Sequence, residues 1–212
     1  TVFIKIAFFG SCGKVKKNLK MKKNLILTGE PNVGKSTLLL KIIEKIETFT
    51  ARAGICHSIL TREIRSGETR VGFKMYENII AHVDSKSDVR VSRYGVNIEA
   101  INYIVSTDEL LRGKDVARIL CLDEIGEMQL KSELFKKLAK KYLDSRNVCV
   151  ATLSDVYHSK FTDAIRKRDD IEIIKVTKEN REELAETLPT LINEYFTEEI
   201  LIKIKGYKWL KD

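Results

Sequence analysis

The chain contains no long hydrophobic run: none of its apolar stretches approaches the roughly 18 residues that a membrane-spanning helix needs, so the expectation is a soluble protein. Cysteine is scarce and unpaired. The four cysteines among 212 residues show no paired metal-ligand spacing, which argues against both a zinc framework and a disulfide scaffold. Cys121 and Cys149 stand inside the apolar runs Ile119-Leu120-Cys121-Leu122 and Val148-Cys149-Val150, where a thiol behaves as a small buried hydrophobe. That usage points to a reducing, cytoplasmic compartment. An aromatic-rich stacking motif is also missing. The formal charge of +8 and the pI near 9.2 are therefore read as a solvated basic surface and not as a nucleic-acid platform, because the basic residues are spread along the chain and interleaved with 30 acidic ones.

What is present is enough apolar material, 43% of the residues, to bury a substantial core in one domain or at most two. The most informative stretch is Gly29-Glu30-Pro31-Asn32-Val33-Gly34-Lys35-Ser36, followed by Thr37. It fits the G-x-x-x-x-G-K-[ST] phosphate-binding pattern. The apolar Leu25-Ile26-Leu27 before it reads as a strand, and Leu38, Leu39, Ile42, Ile43 and Ile46 after it recur at helical spacing. Backbone N–H groups of such a loop, with the positive end of the following helix, form a nest for a β-phosphate. Lys35 adds a mobile charge for the β- and γ-phosphates, and the Ser36 hydroxyl is suited to ligate Mg²⁺.

A second landmark is Ile119-Leu120-Cys121-Leu122-Asp123-Glu124-Ile125-Gly126. An apolar run ending in two carboxylates describes a buried strand whose C-terminal end presents acid groups, the end at which parallel α/β sheets bind ligands. Beside a phosphate loop, Asp123 is the expected holder of Mg²⁺ and Glu124 the expected base that activates water. Arg62, Arg65 and Arg70 cluster around a Gly67 turn and are candidates for a phosphate contact, and the Thr152 hydroxyl at a strand end is another. His57, His82 and His158 are read as structural or exposed.

Elsewhere strands and helices alternate, which predicts a mostly parallel sheet covered on both faces. Residues 51–85 read as strands and turns, Tyr94-Gly95-Val96-Asn97 as a turn, and the following residues as a short helix capped by Ser106 or Thr107 and ended near Gly113. Helices are expected around Leu134 to Leu143, over Val156 to Arg168 with Ser154 as its cap, and from Thr177 with an interruption at Pro189. Residues 1–20 are expected to be an extension, with Met21 as the natural start, although an extra edge strand is an alternative. Residues 21–196 then form the phosphate-loop domain, and 197–212 a tail of mixed apolar and basic residues.

These motifs together resemble the small thermophile-type nucleoside-triphosphatases, a family that includes the cancer-related nucleoside-triphosphatase. The resemblance runs from about Lys22 to Asn193. It rests on the loop at 29 to 36, on Thr61-Arg62-Glu63-Ile64-Arg65 followed by Gly67 and Val71-Gly72-Phe73, on Tyr94-Gly95-Val96-Asn97, and on Leu122-Asp123-Glu124-Ile125-Gly126. Val150-Ala151-Thr152 and Thr177-Lys178-Glu179-Asn180-Arg181 are also similar to the family. The resemblance implies a RecA-like P-loop domain that hydrolyses ATP, GTP and other nucleoside triphosphates slowly and with Mg²⁺. It also implies Walker A roles for Lys35 and Ser36, the Walker B role for Asp123, and that of the base for Glu124. The chain departs from the family pattern at Asn32, where glycine is usual, at Ser58-Ile59 in place of Gly-Phe, and at Glu127 and Gln129 in place of a Lys-Met-Glu continuation. Two rival readings share the same loop and metal residues: a nucleotide or nucleoside kinase, and an NTP-gated module that binds RNA or protein.

Overall fold

The structure is a computed structural model that describes residues 4–8, 15–19, 22–113 and 118–208. Side chains are described for residues 22–113 and 118–197. Met21 and the end of the basic-apolar tail, from 209 onward, lie outside the described residues. So do the side chains of residues 1–20.

Strands β1 (Ile4–Phe8) and β2 (Val15–Leu19) pair antiparallel in a two-stranded sheet of their own. The main sheet draws its parallel part from β3 (Asn24–Thr28), β4 (Cys56–Ser66), β9 (Ile119–Ile125), β10 (Val148–Leu153) and β11 (Ile171–Lys175). These strands lie in the order β11-β3-β10-β9-β4. Beyond β4 the sheet turns antiparallel through β5 (Thr69–Met75), β6 (Asn78–His82), β8 (Tyr94–Val96) and β7 (Arg90–Val91). Helix α1 (Lys35–Thr50) and helix α5 (Arg181–Lys208) cover one face, where Leu38, Leu39, Ile42 and Ile46 meet Leu184, Leu188 and Ile192. Helices α2 (Ile98–Ser106), α3 (Glu133–Asp144) and α4 (Lys160–Arg166) cover the other, with Phe135, Leu138 and Tyr142 at its centre. The expected α/β class, with a mostly parallel sheet between two helical layers, is what the chain adopts. Its central strands β3, β9 and β10 are largely apolar runs because both faces are buried.

Several local expectations need correction. Tyr94-Gly95-Val96 is a strand and not a turn, paired with β6 and β7, and Asn97 caps α2 by accepting the Ala100 N–H. Ser106 and Thr107 therefore end α2 and do not start a helix. The helix expected from Val156 begins only at Lys160, because Ser159 and Thr162 form a capping box there. Ser154 instead accepts the Tyr157 N–H in the preceding turn. Pro189 lies inside α5 without interrupting it. A proline in a helix interior costs about 3 kcal/mol, a cost opposed by the buried residues on both sides of it: Leu184, Ala185, Leu188, Leu191, Ile192 and Phe196.

Candidate active site

The parallel strands end on one edge, and that edge collects the polar groups named from the sequence. The loop of residues 29–34 connects β3 to α1. Gly29 sits at φ 144°, and a Cβ there would lie 2.5 Å from the Val176 carbonyl oxygen, so no other residue lets β3 turn beneath the neighbouring chain. Asn32 adopts φ 62°, the left-handed region that asparagine tolerates better than most residues. The chain therefore meets the departure from glycine with the residue type best suited to replace it. Among the described residues, no side chain caps α1 and no acidic residue occupies its first turn. Its leading N–H groups form a positive end suited to an anion.

Lys35 is 9% exposed, and its Nζ donates to the carbonyl oxygens of Gly29 and Glu30, both at 2.9 Å. The ammonium is thus folded over the loop that it would release on meeting phosphate oxygens. Ser36 Oγ donates to Asp123 Oδ1 at 3.0 Å, although the two residues are 87 positions apart in the chain. Thr152 Oγ1 donates to the same carboxylate oxygen at 2.5 Å. Thr152 is fully buried, and its hydroxyl orients Asp123. Burial pushes the Asp123 carboxyl above its ordinary range, opposed by the hydrogen bonds from Thr152 and Ser36 and by the Lys35 charge.

Glu124 follows on β9. Burial, and then the neighbouring charge of Asp123, raise its pKa, while Lys35 and Arg70 pull it back down. Its side chain lies so close to Gly126 that a Cβ there would fall 2.5 Å from Glu124 Oε1. Gly126 closes the second sequence landmark, where no role is given to it; the structure shows it as the space into which the Glu124 side chain folds.

The arginines divide. Arg62 is exposed on β4 in register with Lys74. Arg65 is committed to Glu63 and to the Glu68 carbonyl. Arg70 bridges Glu63, at 2.8 Å, and the Tyr94 hydroxyl, at 3.1 Å, and its charge reaches Glu124. Glu127 forms an ion pair with Lys131 at 3.2 Å, and Gln129, which is buried, donates to Thr61 Oγ1 at 2.9 Å. Each of these two departures thus has a polar partner of its own. His57 is paired with buried Asp108 and His158 with Asp163, in keeping with structural roles. Ser58, another departure, offers its carbonyl to the Tyr76 hydroxyl.

This arrangement of a glycine loop, a helix N-terminus and a serine joined to a buried aspartate is suited to holding a polyphosphate. A family model described as NTPase matches residues 24–188. The chain belongs to this NTPase family. The NTPase is 36% identical over 171 residues to the nucleoside-triphosphatase THEP1 of Methanocaldococcus jannaschii, a match covering 77% of this chain and 94% of that protein. It is 32% identical over 175 residues to the nucleoside-triphosphatase THEP1 of Thermotoga maritima, covering 79% and 94% of the two chains. The crystal structure of THEP1 from Aquifex aeolicus superposes with a TM-score of 0.67 at 30% identity, over 80% of this chain and 98% of that one. The resemblance read from the motifs and the α/β fold are both borne out. No described helix is long and apolar enough to cross a membrane.

Proposed function

We propose that this NTPase hydrolyses ATP, GTP and other nucleoside triphosphates to the diphosphate and phosphate, with Mg²⁺ bound between protein and substrate. The observation that carries this reading is the hydrogen bond between Ser36 and Asp123, with the partly buried Glu124 carboxyl next in the chain. Among the described residues no three acidic, histidine or cysteine side chains gather around one point. A site offering only a hydroxyl and a carboxylate suits Mg²⁺, which keeps several waters and takes its remaining oxygens from substrate phosphates. Ser36 and Asp123 would hold it there, and its chemistry would be to neutralise charge on the β- and γ-phosphate oxygens.

The other steps belong to the chain itself. The N–H groups of residues 29–36 cradle the β-phosphate, and Lys35 exchanges the Gly29 and Glu30 carbonyls for β- and γ-phosphate oxygens. Glu124 accepts a hydrogen bond from a water in line with the γ-phosphorus. As the water oxygen bonds to phosphorus, the bond to the β–γ bridging oxygen breaks, and the electron pair leaves with the diphosphate. The water proton passes to the Glu124 carboxylate. A raised pKa makes Glu124 a stronger base once ionised, which serves this transfer. The polar wall around the reaction is completed by Thr152, which holds Asp123, and by Arg70, whose charge helps keep Glu124 ionised.

The test is phosphate release from ATP, GTP, CTP and UTP with and without Mg²⁺, with added nucleosides as competing acceptors. Release from all four, dependent on Mg²⁺ and without phosphoryl transfer, is expected. Transfer to a nucleoside would replace the hydrolase reading with a kinase.

A further inference from the structure

The strand order places the two flanks of the phosphate loop in different surroundings. The loop leaves β3, which lies between β10 and β11. On the β10 side stand Thr152, Asp123 and Glu124, the groups that would receive the γ-phosphate and the metal. A triphosphate laid in the loop with its γ end there carries its nucleoside towards the other flank, where the segment from β11 to α5 crosses the loop. That segment is firmly held. The Val176 N–H donates to the Thr28 carbonyl at 2.7 Å. Thr177 and Asn180 cap each other through side chains, and the Asn180 amide donates to the Lys175 carbonyl.

Arg181 is mounted at the end of this brace, as the first residue of α5. Its side chain lies over the phosphate loop: a Cβ on Gly34 would stand 3.5 Å from one terminal nitrogen and 3.7 Å from Cδ. The same nitrogen reaches the Val33 carbonyl at 3.4 Å. Nε is buried without a hydrogen-bond partner, with Glu182 Oε1 3.6 Å away, yet 43% of the side chain remains exposed. The guanidinium is therefore fixed at its root, incompletely satisfied and open on part of its surface. That is a poor structural ion pair and a good platform for a flat ring, because guanidinium planes stack on π systems.

We propose that Arg181 is the nucleoside-end clamp of the site, with its guanidinium plane stacking on the base of the bound nucleoside triphosphate. This rests on the nucleotide-hydrolysing reading above and deepens it. Stacking tolerates any base, since each has a π face, so the clamp holds the nucleoside without reading base edges and accounts for a substrate class defined by its triphosphate.

The experiment is binding calorimetry of Arg181→Ala and Arg181→Lys with ATP, GTP, CTP, UTP and inorganic tripolyphosphate, each with Mg²⁺, after a melting curve has established that the variants fold. Lysine keeps a charge and a donor for Val33 but has no plane. Both variants are expected to bind all four nucleotides about tenfold more weakly, as loss of one stacking contact would do, and to keep tripolyphosphate affinity within about twofold. An equal loss on tripolyphosphate would overturn the clamp and make Arg181 a phosphate contact or a brace of the loop. Unchanged nucleotide affinity in either variant would overturn it as well. Because the readout is binding, the clamp is decided even if the wild-type protein releases no phosphate, a result that would overturn the hydrolase reading alone.

Discussion

Strands β3 and β10 are buried along their whole length and β9 at all but one position, whereas β5 and β6 mix buried with exposed positions. In the doubly covered strands a polar side chain has no water to turn to, so each one present must be hydrogen-bonded within the protein. Asp123 and Thr152 are such residues, and they meet each other and Ser36 at the site. In the antiparallel wing the polar residues pair at the surface, as Glu63 does with Arg65 and Arg70, and such pairs contribute only about 0–1 kcal/mol each. Buried polarity in the parallel half signals chemistry or a structural network. Exposed polarity in the wing signals neither by itself.

The comparison breaks most visibly at Lys35. Lys35→Ala is expected to abolish nucleotide binding or turnover, and wild-type turnover in that variant would remove the parallel edge from the catalytic account.

Asp108 offers the contrasting case of buried polarity away from the phosphate loop. Its carboxylate accepts hydrogen bonds from His57, from Tyr142 and from the Leu110 and Leu111 N–H groups. Burial raises its pKa, but the bonds from His57, Tyr142 and Leu111 outweigh that, leaving it below the ordinary range. Asp108→Ala is expected to cost about 3 kcal/mol by orphaning buried donors, or about 10 °C in Tm for a chain of this size, while sparing turnover. The sign with pH follows from the lowered pKa. The stabilisation is present above the unfolded carboxyl's pKa and is lost as pH falls through the folded one, so the gap between wild type and variant should close in acid. A gap that widened in acid would contradict the network.

A smaller effect tests the wing. Arg70 lowers the pKa of Glu124, so Arg70→Ala should raise it and move the acid limb of kcat to higher pH. Arg65→Ala, whose partners are Glu63 and the Glu68 carbonyl, should leave that limb in place. If both variants moved it equally, the distinction between the two arginines would be lost.

The parallel half was the more legible in sequence. Continuous apolar runs such as Ile119 to Leu122, and the glycine, lysine and serine of the loop, each reflect a constraint that acts within a few residues. The pairing of Ser36 with Asp123 followed only from combining two motifs. Gly126 and Arg181 were harder to see, because their roles depend on chain segments brought together by folding: a Glu124 side chain folded back on a glycine, and an α5 residue laid over the loop after β3. The wing was misread at Tyr94 to Val96 for the same reason, since a strand this short is created by its neighbours β6 and β7. Pro189 shows packing overriding local preference.

The central claim is that Glu124 takes the proton of the attacking water while the loop, Ser36 and Asp123 hold the triphosphate. Single-turnover phosphate release from ATP by Glu124→Gln, with ATP binding measured alongside, tests it most directly. The account predicts retained binding with release slowed by about 10²-fold or more, the range for loss of a general base; release at the wild-type rate would contradict it.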